Sequence, residues 1–237
     1  MMNELFLARL FAYSILPLLL ATAHILLSKE TRSVAQRIEI FTVYLLAISV
    51  GANGLGGAFG HLFLSDLVAE GIGWSTGSPF QLEMGFANLL IGVLGLMAVG
   101  RRDGFRTAVI IATTILGVGA TLVHLQDIAA HGNLAPGNTI QNISNLLDPI
   151  LLIGLSWWSA RRFEGEMVTA VFQQWQMRQQ PIPGLAAAGI GMGFGIGYAV
   201  GALFVWTLLG ALVGVGLGLS ISRRAGQAAA GLLVEQQ

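Results

Sequence analysis

ISVGANGLGGAFGHLFLSDLVAEGIGWSTGSPFQLEMGFANLLIGVLGL, residues 48–96, holds two apolar segments joined by a short loop rich in Gly, Ser and Pro. Inside the segments lie Asn53, His61, Glu83 and Asn88. Polar groups in a run long enough to cross lipid are costly, so they turn toward protein or water. This stretch therefore reads as two membrane helices, and what its four polar residues face decides what can be said of function.

Composition supports a membrane chain. Of 237 residues, 54% are hydrophobic and 10% charged, against about 25% charged in soluble domains; the mean hydropathy is +0.73. Net charge is zero, which gives a nucleic-acid partner no electrostatic support. The absence of cysteine removes disulfides, thiolate ligands and thiol nucleophiles. The 32 glycines sit mostly in apolar runs, where they allow close helix packing.

A crossing takes about 20 apolar residues. Residues 5–27, 38–64, 80–99, 107–128 and 143–160 meet this, and the first reads as a retained span rather than a cleaved leader. Arg9 near the start of the first span is expected to snorkel to the interface. Residues 65–79 read as a loop, with Trp74 marking the outer interface. Lys29, Arg32 and Arg37 follow the first span, Arg101, Arg102 and Arg106 the third, and Arg161 and Arg162 the fifth; the loops after the second and fourth carry no Lys or Arg. The positive-inside rule places the N-terminus outside and the C-terminus in the cytoplasm.

Residues 161–183 form a polar cytoplasmic linker, readable as an amphipathic helix with Val171, Phe172 and Trp175 on one side. Residues 184–222 would extend about 58 Å as one helix, nearly twice a hydrocarbon core of about 30 Å. A hairpin turning near residues 201–204 satisfies both this length and the cytoplasmic Arg223-Arg224 pair. The fold expected is an all-α polytopic bundle of seven spans, with one long tilted helix, giving six, as the alternative. Residues 1–160 form the five-span bundle, 184–222 the hairpin and 223–237 a cytoplasmic tail. Gly189, Gly193, Gly197 and Gly201 recur every four residues, Gly191 and Gly195 form a parallel series, and Gly210, Gly214 and Gly218 continue the spacing. This glycine zipper would serve a homo-oligomer or pack the hairpin on itself or on the bundle.

Threaded this way, polar residues of four spans reach one level beneath the outer surface: His61 on the second span, with Asn53 nearer its middle; Glu83 on the third, which also carries Asn88; His124 and Asp127 on the fourth; Asn142, Asn145 and Asp148 on the fifth. His131 lies in the following loop. Glu83 is expected to pair with His61 and His124. That trio suits a transition metal such as Zn, Cu, Fe or Ni, though no H-E-x-x-H is present. The same level equally suits a small polar ligand or quinone head group, a proton or transport route, or a ligand-free polar layer holding four helices in register. His24 reads as an interface residue and Glu39 as a helix-start carboxylate. No catalytic set is evident; Ser78, His61 and Asp127 lack the G-x-S-x-G turn of a serine hydrolase. The leading reading is metal or small-ligand binding by the outer pocket. Its rivals are an assembly protein working through the hairpin, and a transporter or membrane-embedded enzyme.

His61, the GW…SPFQLE…FAN segment through Glu83 and Asn88, and His124 with the loop from Asn133 to Asn138 resemble small bacterial inner-membrane proteins that form a family of unknown function. The resemblance covers spans two to five and leaves the glycine-rich hairpin outside. It implies a bacterial or archaeal integral-membrane core and assigns no activity.

Overall fold

The computed structural model describes residues 2–27, 32–167 and 181–234, and these are mostly helical, with no strand among them. The helices are α1 (Met2–Leu27), α2 (Val34–Phe63), α3 (Ser65–Ile72), α4 (Phe80–Ala98), α5 (Gly104–His131), α6 (Pro136–Thr139), α7 (Gln141–Met167), α8 (Pro181–Val200) and α9 (Leu203–Val234). Five stretches are long and apolar enough to cross a membrane: α1, α2, α4, α5 and Leu203–Ser222 of α9. Outward-facing Leu90, Ile115 and Leu122, each about three-fifths exposed or more, give these helices the apolar coat that lipid requires. The fifth expected span, carried by α7, is less apolar than these five, being diluted by Asn145, Asp148 and Pro149.

α2 is the central helix: 78% of its apolar window is buried, against 22–33% in the other four. Its start is set by Ser33, whose hydroxyl accepts from Gln36 N while the Gln36 side chain accepts from Ser33 N, a capping box. Tyr44, Leu45, Leu46 and Ile48 are fully buried. α4 lies against it along a glycine seam. A Cβ on Gly54 would stand 2.6 Å from Gly92 Cα, and one on Gly95 2.9 Å from Gly51 N, so only hydrogen side chains allow the backbones this close.

The interior end of α4 is fastened by charge. Glu39, only 2% exposed, accepts from Arg106 Nη1 and Nη2 at 2.9 and 3.0 Å and from Arg102 Nε at 3.2 Å. Arg106 also donates to the carbonyls of Ala98 and Val99 at the end of α4, where a helix runs out of its own N–H donors. Glu39 is thus a buried clasp between three helices, not a helix-start carboxylate. Burial, opposed by Glu39, lowers the Arg102 pKa to about 10, which leaves it charged at neutral pH. His24, expected at the interface, is buried and lies 3.3 Å from the Tyr44 hydroxyl.

Three boundaries differ from expectation. Residues 65–79 contain α3, α7 continues past residue 160 to Met167, and α9 runs on to Val234 through the expected tail. Val171, Phe172 and Trp175 lie outside the described residues. α8 and α9 meet at Gly201, whose φ of +72° is open to glycine. There, Cβ atoms on Gly189 and Gly210 would collide with each other's carbonyls, one on Gly193 with Trp206 O, and one on Gly197 with Leu203 Cα. Of the uses read for this groove, the contacts among the described residues are those of the hairpin packed on itself, with α9 against the glycine face of α8 and Gly201 at the turn.

Candidate ligand site

Two polar layers occupy the half of the bundle at the N-terminal end of α1. The outermost is built by chain reversals. α3 ends at Gly73, φ +80°, with Trp74 N donating to Ala69 O and Gly73 N to Glu70 O, a Schellman closure that turns Trp74 inward. Its ring stacks on His124 at 5.4 Å and its Nε1 donates to Asp127 Oδ2 at 2.8 Å. α5 ends at Gly132, φ +65°, returning Asn133, whose Nδ2 donates to the same oxygen at 2.6 Å. Asn138, fully buried, adds a third donor at 3.2 Å, and its Oδ1 lies 2.6 Å from His124 Nδ1. The other Asp127 oxygen is 2.7 Å from His131 Nδ1. Asp127 is consumed by these contacts, as charge-assisted hydrogen bonds from four side chains hold it. The layer is a clasp joining α3, α5 and the α5–α7 connection, and Trp74 belongs to it rather than to a lipid interface.

Beneath the clasp lies a cavity of about 950 Å³, at the upper end of ligand-pocket sizes. α1 and α2 each carry a π-helical stretch here, Phe11–Ile15 and Leu45–Ala52, a local unwinding frequent at functional sites. Arg9 lines the cavity and donates from Nη2 to Asn53 Oδ1 at 3.1 Å; it turns inward and does not snorkel. His61 also lines it, with Nδ1 2.7 Å from Gln81 Oε1. An amide oxygen accepts, so Nδ1 carries the proton and Nε2 keeps a lone pair. From α1, Ser14 Oγ donates to Asp148 Oδ2 at 3.1 Å and stands 3.0 Å from Ser144 Oγ. Asp148 is 4% exposed and Ser49 5%. Asp148, Ser49 and Thr113 are among the residues that line this cavity, and Asp148 Oδ1, Ser49 Oγ and Thr113 Oγ1 are buried without a hydrogen-bond partner.

The anticipated residues divide accordingly. Asn53, His61, Asn88, His124 and Asn145 line the cavity; Asp127, Asn142 and Glu83 do not. Asn88 spends its amide on Met84 O, Asn142 on Asn138 O, and Asn145 Oδ1 accepts from Gln141. Glu83 sits on the exposed face of α4. The His61, Glu83 and His124 metal set is therefore corrected: no group of three His, Cys, Asp or Glu among the described residues is placed to hold a metal ion. Glu83 is the fourth residue of α4, where the helix dipole favours an anion and the membrane surface is near.

Arg9, Ser49, Gln81 and Asn138 were absent from the anticipated set. Gln81 carried the same signal as Glu83, a polar residue within an apolar run, and is 1% exposed.

The model of a family described as "Family of unknown function (DUF6790)" matches residues 9–165, and the chain belongs to that family. The match includes most of the first span, beyond the extent of the resemblance seen in sequence. No curated protein and no solved structure matches the chain.

Proposed function

We propose that this member of an uncharacterised family is a ligand-binding integral membrane protein of a bacterial plasma membrane, and that its cavity holds an amphiphilic small molecule. The observation that carries the reading is the pairing of a large, mainly apolar cavity with buried polar atoms that the protein itself does not satisfy. Asp148 Oδ1, Ser49 Oγ and Thr113 Oγ1 are such atoms, and burying one unmatched costs about 1–3 kcal/mol. Arg9 adds a cation to the same walls. A ligand with an apolar body and a polar head satisfies both kinds of surface, and it replaces the metal reading, which lacks a donor set.

The topology that goes with this function has seven spans, N-terminus outside. It rests on the alternation of positive charge, on the length of α7, and on the break at Gly201 that divides the last apolar region into α8 and α9. The glycine zipper acts inside this hairpin, and the cavity then opens in the outer half of the membrane.

Native mass spectrometry of the protein released from membranes tests the reading. A stoichiometric small molecule should accompany the wild type and be depleted in Arg9→Gln and Asp148→Asn. A wild-type protein that carries nothing and takes up no amphiphile refutes it.

A further inference from the structure

α8 lies beyond the family match at residues 9–165, yet it supplies a wall of the cavity through Gly184, Ala187, Ala188 and Gly191. These positions are spaced three and four apart and share one helix face. The other glycine series, Gly189, Gly193 and Gly197, is buried against α9. The two faces of α8 therefore differ in purpose. On the α9 side a Cβ would strike backbone; at Gly184 and Gly191 it would meet nothing within 4 Å. Packing does not require glycine at either of those two positions, and their missing side chains leave room in the cavity.

A stripe of small residues is not a site in itself. The independent observation is Asp148, a lining residue of the cavity that is only 4% exposed: its Oδ2 accepts from Ser14, while its Oδ1 is buried and unmatched. Ser49 Oγ stands in the same condition. When ionised, Asp148 accepts only, so a donor on the ligand completes it.

We propose that the small-residue face of α8 receives the ligand's apolar body while Asp148 Oδ1 and Ser49 Oγ receive a hydrogen-bond donor on its head, which makes the occupant a hydroxyl- or amine-headed amphiphile whose girth is set by the C-terminal hairpin. This rests on the cavity reading above. Members of the family lacking such a hairpin would hold the same polar wall with a different apolar one.

The test uses full-length protein in phosphatidylcholine nanodiscs, a lipid whose head has no donor. Dodecylamine, 1-dodecanol, dodecyltrimethylammonium and dodecyl methyl ether are compared by native mass spectrometry and thermal shift. The amine or the alcohol should bind at least tenfold more tightly than the two donor-free heads, and which of them wins identifies the head group. Gly191→Leu should weaken that binding at least tenfold. Gly216→Leu, on α9 where a Cβ also meets nothing within 4 Å but outside the cavity wall, should leave it unchanged. Gly184→Leu repeats the test if Gly191→Leu does not fold. Equal binding by the ether and the alcohol, or wild-type affinity in the folded α8 variants, overturns the inference and leaves the cavity reading standing. If no amphiphile binds the wild type, both fall together.

Discussion

Replacing Glu39 by glutamine tests whether the interior clasp is a real ion cluster. Glu39 takes two N–H groups from Arg106 and contacts Arg102 at 3.1 Å, while Arg106 is 7% exposed. Removing one partner of a buried pair costs about 3–5 kcal/mol, because the remaining charge stays buried. Glutamine keeps one carbonyl acceptor and so recovers part of a hydrogen bond to a charged donor, about 1.5–3 kcal/mol at most. A net loss of about 2 kcal/mol follows for Glu39→Gln, and more for Glu39→Ala. Reversible unfolding in mixed micelles, followed by tryptophan fluorescence, measures it. The double variant Glu39→Gln, Arg106→Gln should cost clearly less than the sum of the singles, since the residual charge has gone. Raising salt to about 1 M should leave the wild-type advantage intact, because buried pairs are poorly screened. A Glu39→Gln cost under about 1 kcal/mol, or strict additivity, would refute a buried pair and with it the joining of α2, α4 and α5 at this end.

At the α2–α4 seam, Gly54→Ala should destabilise by about 1–3 kcal/mol through overpacking, whereas Gly119→Ala, where a Cβ meets nothing within 4 Å, should stabilise by about 0.5–1 kcal/mol; the same unfolding assay reads both, and equal effects would dissolve the seam. Asp127→Ala removes the acceptor of Trp74, Asn133 and Asn138 and should shift tryptophan emission to the red with a loss of about 1–3 kcal/mol; an unmoved spectrum would mean that Trp74 is not clasped. Gly189→Val should lower the melting temperature without changing the mass of the detergent-solubilised protein, as its contact is within the chain; a change of oligomeric state at unchanged melting would reverse that assignment. Orientation is open to single-cysteine labelling, because the chain has no cysteine of its own: Ser75→Cys should react with an impermeant maleimide from outside intact cells and Arg101→Cys only after lysis.

Apolar length made the helices legible before their packing was known. Long runs of Leu, Ile, Val and Ala cross lipid whatever they pack against, and the arithmetic of residues 184–222 called for a turn where Gly201 provides one. What length does not carry is the identity of neighbours. Residues 48–96 contain Gly51, Gly54, Gly92 and Gly95, spaced three apart within each segment, and these bring the α2 and α4 backbones into close contact. The longer and more regular series after residue 184 drew the attention, although it joins only α8 to α9. α3 escapes the span pattern for a related reason: SDLVAEGI is too short to cross a membrane, but its Leu67, Val68 and Ile72 line the cavity.

The site was legible as a depth and misread as a set of partners. The cost of a polar group in lipid says that it avoids acyl chains; it does not say which atom it meets. Glu83 escapes the rule because the first turn of a helix lies near the surface. Arg9 was assigned the same escape, yet it stands seven residues into α1, about 10 Å along the axis, beside a cavity that offers Asn53 as an acceptor. A guanidinium turns toward the nearer hydrogen-bonding oxygen, and here that oxygen is inside. The polar level then centres on a cation, two imidazoles held at Nδ1 by side-chain amides, and an acid with one oxygen unmatched. Such a set does not form a metal shell, since Arg9 would repel the ion. In the function proposed above, the donor Arg9 and the acceptor Asp148 would together orient a polar head in a space otherwise lined mainly by hydrocarbon.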